Sequence, residues 1–250
     1  MSDIIPALLD SDSDDVQIKT WSFSRLAEFE KCKFRAKLLY LDKIREPERP
    51  LPPGKTEHAN DRGTRVHEAA ELFVQSPQPV ELLPELSHFR EEFEQLRALY
   101  QEGKVSLEGE WGYDEGWQPV GWFSSDVWAR VKLDALVMLE PDHAVVIDYK
   151  TGKKSGNEVK HADQMALYQL STFMRYPEIE KVTVELWYLD QNDMTRQVYT
   201  RQQGMRHLKN FNKRGLAMTT CTDFPPNPND YTCRWCFLGP KGSGACKVGK

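Results

Sequence analysis

Lys132-Leu-Asp134-Ala-Leu-Val-Met-Leu139, a short turn, and then Ala144-Val-Val-Ile-Asp148-Tyr-Lys150-Thr-Gly152 form the stretch on which the reading of this chain depends. Two apolar runs interrupted by Glu140-Pro-Asp-His143 predict a β-hairpin, because Pro and Asp break the strand pattern where the chain must reverse. Side chains two positions apart in a strand share a face, so Asp148 and Lys150 point one way and Tyr149 the other. With the hairpin centred on Pro141, Asp134 stands directly opposite Asp148. Carboxylates that close repel unless a cation lies between them, and oxygen ligands of this kind suit Mg²⁺ or Mn²⁺. An ammonium at Lys150 beside such a cation can orient a water, help remove its proton, or offset charge building on a phosphorus under attack.

Two segments outside the hairpin carry polar groups that can reach it. Gly63-Thr-Arg-Val-His67 puts a histidine one helical turn after a glycine, with Glu71 one turn further on the same face. Gln164 and Tyr168 are spaced i, i+4 on a helix predicted from about Lys160 to Met174, so both can face the hairpin. Further helices are predicted from Ser22 through Leu39, from Asp61 or Thr64 to Phe73, from Leu86 to Tyr100 and from Gln202 to about Leu216. Strands are predicted at Val105–Tyr113, Gly121–Leu139, Ala144–Lys150, Val182–Leu189 and Arg196–Thr200. The expected fold is α/β, with residues 1–17 an acidic disordered tail and 18–250 a single domain ending in a Pro-, Gly- and Cys-rich segment from 219.

The chain has 250 residues, 40% of them hydrophobic and 28% charged, which excludes collagen-like and wholly disordered classes. No apolar run approaches the roughly 18 residues of a membrane span. The acidic opening Met-Ser-Asp-Ile-Ile-Pro does not read as a secretory signal, so a cytoplasmic protein is expected. A net charge of −5 argues at first against nucleic acid. Its distribution reverses that inference: residues 1–17 hold five acids and no Lys or Arg, and the remainder is neutral. Residues 18–46 carry eight Lys/Arg against four acids, and 201–250 carry nine against two, leaving the centre acidic. Basic flanks around an acidic centre fit ends that touch phosphate and a middle that holds divalent metal.

In their order along the chain, His67, Asp134, Asp148-Tyr149-Lys150 and Gln164 to Tyr168 resemble the PD-(D/E)XK nuclease superfamily, specifically its RecB-like branch. Ser22-Phe-Ser-Arg-Leu-Ala-Glu-Phe-Glu-Lys-Cys32 is similar to that branch's opening helix. The resemblance spans roughly residues 20 to 246. It implies a restriction-endonuclease-like mixed central sheet flanked by helices. His67, Asp134, Asp148 and the Tyr149 carbonyl would bind the metal, Lys150 would position or activate water, and Gln164 would steady Lys150 or substrate. Tyr168 would face DNA or pack behind the site, and Glu71 and Glu110 are candidate additional acids. The implied activity is a Mg²⁺- or Mn²⁺-dependent deoxyribonuclease, an exonuclease on single-stranded ends in recombination, repair or phage- or CRISPR-type processing, with a helicase or recombination protein as partner. The alternative is a catalytically idle DNA-binding or assembly subunit. Trp21, Trp122, Trp128 and Trp235 are candidates for base stacking.

Five cysteines, an odd number spread over the chain, argue against a disulfide framework. Cys233-Arg-Trp-Cys236 has a spacing that lets both sulfurs reach one metal, and Cys246 follows in a Gly-rich loop. By resemblance to AddB and the Cas-four-type exonucleases, Cys32 supplies the fourth thiolate, with Cys221 as its competitor. Four thiolates suit a [4Fe–4S] cluster or tetrahedral zinc, and either would join the two ends of the chain.

Overall fold

The computed structural model describes residues 16–47 and 50–249. The predicted acidic tail therefore lies outside the described residues up to position 15. Strand β1 (Trp21–Ser22) runs into helix α1 (Phe23–Lys31), where the Ser22 side chain accepts from Arg25 N–H. Helix α2 (Lys33–Tyr40) follows at once. The single helix expected through Leu39 is thus split, because Cys32 is extended (φ −161°, ψ 110°). Phe29 and Leu38, nine residues apart, would lie on opposite sides of one straight helix, roughly 2.5 turns apart; the break allows both to be buried.

Helix α3 (Ala59–Gln75), a 3₁₀ turn (Pro84–Phe89) and α4 (Arg90–Gln101) precede the central strands β2 (Val105–Tyr113), β3 (Pro119–Val120), β4 (Ala129–Glu140) and β5 (His143–Lys150). The strand expected from Gly121 begins only at Ala129, since residues 121–124 close a tight turn through Ser124 N–H to Gly121 O at 3.0 Å. Then come α5 (Glu158–Arg175), β6 (Lys181–Tyr188), β7 (Asp193–Thr200), α6 (Arg201–Met205), α7 (Leu208–Thr219) and α8 (Asp230–Cys233). The helix expected over Gln202–Leu216 is therefore two, interrupted at Arg206 and His207.

Among the described residues, seven strands form one mixed sheet in the order β3-β2-β4-β5-β6-β7, with β1 parallel beside the start of β4. The α5 crossover makes β5 and β6 parallel, and apart from β1 with β4 the other neighbours are antiparallel. Val146 of β5 packs into a core with Leu26, Leu167 and Phe211, from α1, α5 and α7. Its neighbour Ile147 packs into a second core with Val66 and Phe93, from α3 and α4. Helices cover both faces, which explains why β5 reads as an unbroken apolar run. No helix of the described residues is long and apolar enough to cross a membrane.

The hairpin pairs Ala135 with Ile147 and Met138 with Ala144, the register read from the sequence. Near the turn it shifts, so that Glu140 pairs with His143 and Leu139 is the extra, bulged residue. The reversal is therefore the two residues Pro141 and Asp142 rather than a turn centred on Pro141 alone.

Candidate active site

The β4–β5 ladder stops at Ala135 and Ile147, while β4 continues back to Ala129 with β2 on one edge and β1 on the other. The strands part there, and Asp134 and Asp148 are the next positions in register, at the mouth of the opening. Tyr149 N–H, left without a strand partner, donates to Asp134 Oδ2 at 2.6 Å. A strand residue projects its N–H and C=O to the same edge, so the Tyr149 carbonyl opens into the same gap. Its ring lies in the opposite layer against Phe93 and Trp187, as the alternation predicts.

Asp148 belongs to a closed ring of three hydrogen bonds and one ion pair. Its Oδ2 meets Lys150 Nζ at 2.5 Å, and Lys150 Nζ donates to Gln164 Oε1 at 2.8 Å. Gln164 Nε2 then donates to the Tyr168 hydroxyl at 2.7 Å, which donates to Asp148 Oδ1 at 2.5 Å. The helical spacing of Gln164 and Tyr168 makes the ring possible, because successive turns of α5 present both to one strand. Tyr168 is largely buried with its hydroxyl on Asp148, and it also lines the cleft.

His67 reaches the opening from α3, its Nδ1 3.1 Å from Asp134 Oδ1. One turn earlier Arg62 fixes that helix to the end of β5, donating to Thr151 O at 3.2 Å and pairing with both oxygens of Asp190 at 2.9 and 2.6 Å. The sequence reading missed Glu108, which is the residue of β2 level with Asp134, between the pairs Leu107–Ala135 and Gly109–Leu133. His67, Glu108 and Asp134 each offer a ligand atom, and the three atoms lie within 4.8 Å of one another. Glu108 has a left-handed backbone (φ 47°), unusual for a non-glycine residue inside a strand. Glu110, the acid expected from this strand, is exposed and pairs in register with Lys132, one step away from the opening. Glu71 lines the same pocket as His67 but accepts a hydrogen bond from Gln75.

Asp134 is only 8% exposed. Burial and then the Asp148 charge push its pKa up, against the downward pull of the His67 and Tyr149 hydrogen bonds. Burial alone would lower the His67 pKa, but its hydrogen bond to Asp134 and the surrounding acids carry it upward. Burial followed by the charge of Asp148 holds the Tyr168 hydroxyl well above its ordinary range, as a donor. Crowded, desolvated carboxylates of this kind are what a bound divalent cation would relieve, and His67, Glu108 and Asp134 fit one by distance and donor type.

The surface over these groups is a cleft with two chemically distinct arms that share Lys132, Gln164 and Tyr168. One arm is acidic, with Glu68, Glu71, Glu108 and Asp134. The other holds Arg25, Arg130, Lys150 and Lys160 and is lined by no acid among the described residues.

A profile of the PD-(D/E)XK nuclease superfamily matches residues 20–238. The chain belongs to the PD-(D/E)XK nuclease superfamily. Comparison with curated proteins finds no match. Among solved structures, a protein of Eubacterium rectale described as a "putative exonuclease" shares the superfamily chain's fold, with a TM-score of 0.50 at 13% identity over 93% of this chain and 90% of that one. The protein SSO0001 aligns with a TM-score of 0.39 at 12% identity over 94% of this chain and 89% of that one.

Away from the cleft, Cys32, Cys233, Cys236 and Cys246 line one cavity between the α1–α2 break and the C-terminal turns. Asn227 Nδ2 ties the two regions by donating to Lys31 O at 3.1 Å. All five cysteines are free thiols, and no three lie within 4.8 Å of one another. Cys221 lies elsewhere, its sulfur 3.0 Å from Asp223 O. Of the tryptophans expected to stack bases, Trp21 and Trp128 are buried against each other and Trp117 in the core, which removes them as candidates. Trp122 lines the basic arm, and Trp235 is exposed beside Cys236.

Proposed function

We propose that this superfamily member is a divalent-metal-dependent deoxyribonuclease of the RecB-like branch, acting from single-stranded ends, with residues 18–250 as one nuclease domain. The observation that carries this is the meeting of Asp134 and Asp148 at the parting of β4 and β5, with Lys150 locked to Asp148. His67, Asp134, Asp148 and the Tyr149 carbonyl would hold Mg²⁺ or Mn²⁺, with Glu108 as a further carboxylate donor. The cation would supply Lewis acidity at a phosphoryl oxygen.

The chain's own groups do the rest. Lys150, aimed by Asp148 and Gln164, keeps its ammonium at the opening, where it orients an attacking water and offsets charge gathering on the phosphorus. Tyr168 and Gln164 hold Asp148 in one rotamer from behind, so the carboxylate presents a fixed face. Arg62 keeps α3, and with it His67, at the end of β5.

The cavity bounded by Cys32, Cys233, Cys236 and Cys246 supports a metal centre that joins the chain's two ends, with Cys32 rather than Cys221 as the fourth ligand. A single zinc would draw four sulfurs to about 3.8 Å of one another, given Zn–S bonds of about 2.3 Å in a tetrahedron. Four thiolates suit such a zinc or a [4Fe–4S] cluster, and the RecB-like resemblance favours the cluster. The cellular process, whether recombination, repair or phage- or CRISPR-type processing, follows from the RecB-like resemblance.

The test is incubation of purified protein with end-labelled single- and double-stranded DNA and Mg²⁺ or Mn²⁺, beside Lys150→Ala and Asp148→Ala. Degradation by wild type alone is expected. Equal degradation by all three, or none by wild type, overturns the proposal.

A further inference from the structure

The basic arm of the cleft holds cations that the described residues leave without counter-charge. Arg25, Arg130 and Lys160 line it, and none has an acidic partner among the described residues. Arg25 is held by neutral groups: its Nη1 donates to Thr20 O at 3.0 Å and its guanidinium lies 5.0 Å from the Tyr40 ring. Arg130 is held likewise, donating from Nε to Trp122 O at 3.0 Å. Burial, together with repulsion from Arg130, lowers the Arg25 pKa, so the two guanidinium groups are close enough to oppose each other. Two fixed, mutually repelling guanidinium groups in a cleft, with no acidic partner among the described residues, can take an anion, and a phosphodiester supplies one with matching geometry.

Aromatic rings stand at the same place. Trp122 and Phe123 are the central pair of the tight turn closed between Gly121 and Ser124. Phe123 is 86% exposed and belongs to neither core. Arg130 sits 5.2 Å from the Trp122 ring and 5.8 Å from that of Phe123, which fixes both against the basic arm. A positively charged groove with aromatic faces along it is how proteins hold unpaired nucleic-acid strands, and in a duplex the base faces are already stacked on one another.

We propose that Trp122 and Phe123 form a stacking shelf for unpaired bases, while Arg25, Arg130 and Lys160 hold the phosphates of the same DNA single strand as it approaches Lys150. This rests on the nuclease reading of the site the arm adjoins, and it adds what selects single strands there.

The test measures binding of a fluorescent oligothymidylate and of a blunt duplex by anisotropy, with a chelator present so that no cleavage occurs. Phe123→Ala and Trp122→Ala each weaken single-strand binding on the order of tenfold, leave duplex binding unchanged, and keep the salt dependence of wild type. Lys160→Gln, at an exposed side chain, instead lowers the slope of log K against log salt by about 0.7. Wild-type single-strand affinity in both aromatic variants overturns the shelf, whatever the enzyme cleaves. If wild type leaves DNA intact in Mg²⁺ and Mn²⁺ while the aromatic variants still lose single-strand affinity, the nuclease reading falls and the shelf stands.

Discussion

Tyr149 N–H bonds Asp134 Oδ2 at 2.6 Å across the opening between β4 and β5, so a side-chain carboxylate takes the place of a strand carbonyl. This fixes Asp134 beside Asp148 although the two charges repel, and in the absence of metal the arrangement costs stability. Asp134→Asn keeps an oxygen for Tyr149 N–H and removes one charge. Metal-free Asp134→Asn is therefore expected to be more stable than wild type by about 1 kcal/mol, or roughly 2–4 °C in Tm for a chain this long. Mn²⁺ reverses the order, because a cation bound only by the folded wild type adds about 2.7 kcal/mol at a hundredfold excess over Kd. Thermal melts with and without Mn²⁺ check this, and equal Mn²⁺ shifts for both proteins count against the site.

In the proposed nuclease, Lys150 would meet substrate, while Asp148, Gln164 and Tyr168, which form a ring of contacts with it, would aim it. Lys150→Ala is expected to lower kcat on the order of 10² to 10³ or more, with DNA binding retained. Gln164→Ala frees the Lys150 ammonium without removing it, so kcat falls roughly tenfold with KM little changed. Single-turnover rates on end-labelled DNA distinguish the two. A Gln164→Ala defect confined to KM shows that Gln164 serves substrate binding rather than Lys150.

The legibility of this site in the sequence follows the range of each interaction. The register that brings Asp134 to Asp148 was readable because a hairpin is local and its period of two is strict. His67, Gln164 and Tyr168 were readable because helical spacing puts them on defined faces. Glu108 was not: its level against Asp134 is set by β2 pairing with β4, across an intervening segment whose length fixes no register. Glu110 shares its strand face, and only that pairing separates the two. The break at Cys32 was hidden for a similar reason, since local propensity favours continuing the helix and burial of both Phe29 and Leu38 overrides it. The two-armed cleft was half visible, in the basic ends and acidic middle of the chain.

The proposed metal centre gives the cysteines distinguishable roles. Protein purified without oxygen is expected to carry iron and acid-labile sulfide, and Cys32→Ser and Cys233→Ser should each lose them together. Cys221→Ser should keep both, because its sulfur is turned to Asp223 O. Metal analysis of the three variants beside wild type decides the matter. Stoichiometric zinc without iron in wild type rejects the cluster, and metal loss in Cys221→Ser but not Cys32→Ser exchanges their assignments.

Gly215 marks where the chain's two ends meet in the core. A Cβ built there would lie 2.5 Å from Trp128 Cζ2 and 2.6 Å from Trp21 Nε1, and both rings are buried in a cluster with Trp117 and Phe211. Neither indole can swing away without pushing on the other, since their centroids are 5.3 Å apart. Helix α7 can therefore pack on Trp21 of β1 and on Trp128 before β4 only with a glycine at that position, although alanine favours the isolated helix by about 1 kcal/mol. Overpacking of this kind costs about 1–3 kcal/mol, which outweighs the propensity gain at its upper end and more when two rings must move. Gly215→Ala is expected to lower Tm by several degrees, and because Trp21 and α1 shift with it, to weaken metal retention at Cys32 before activity at Lys150 is lost. An unchanged or raised Tm by calorimetry shows that α7 can stand off from the tryptophans and that this contact does not set the junction of the two ends.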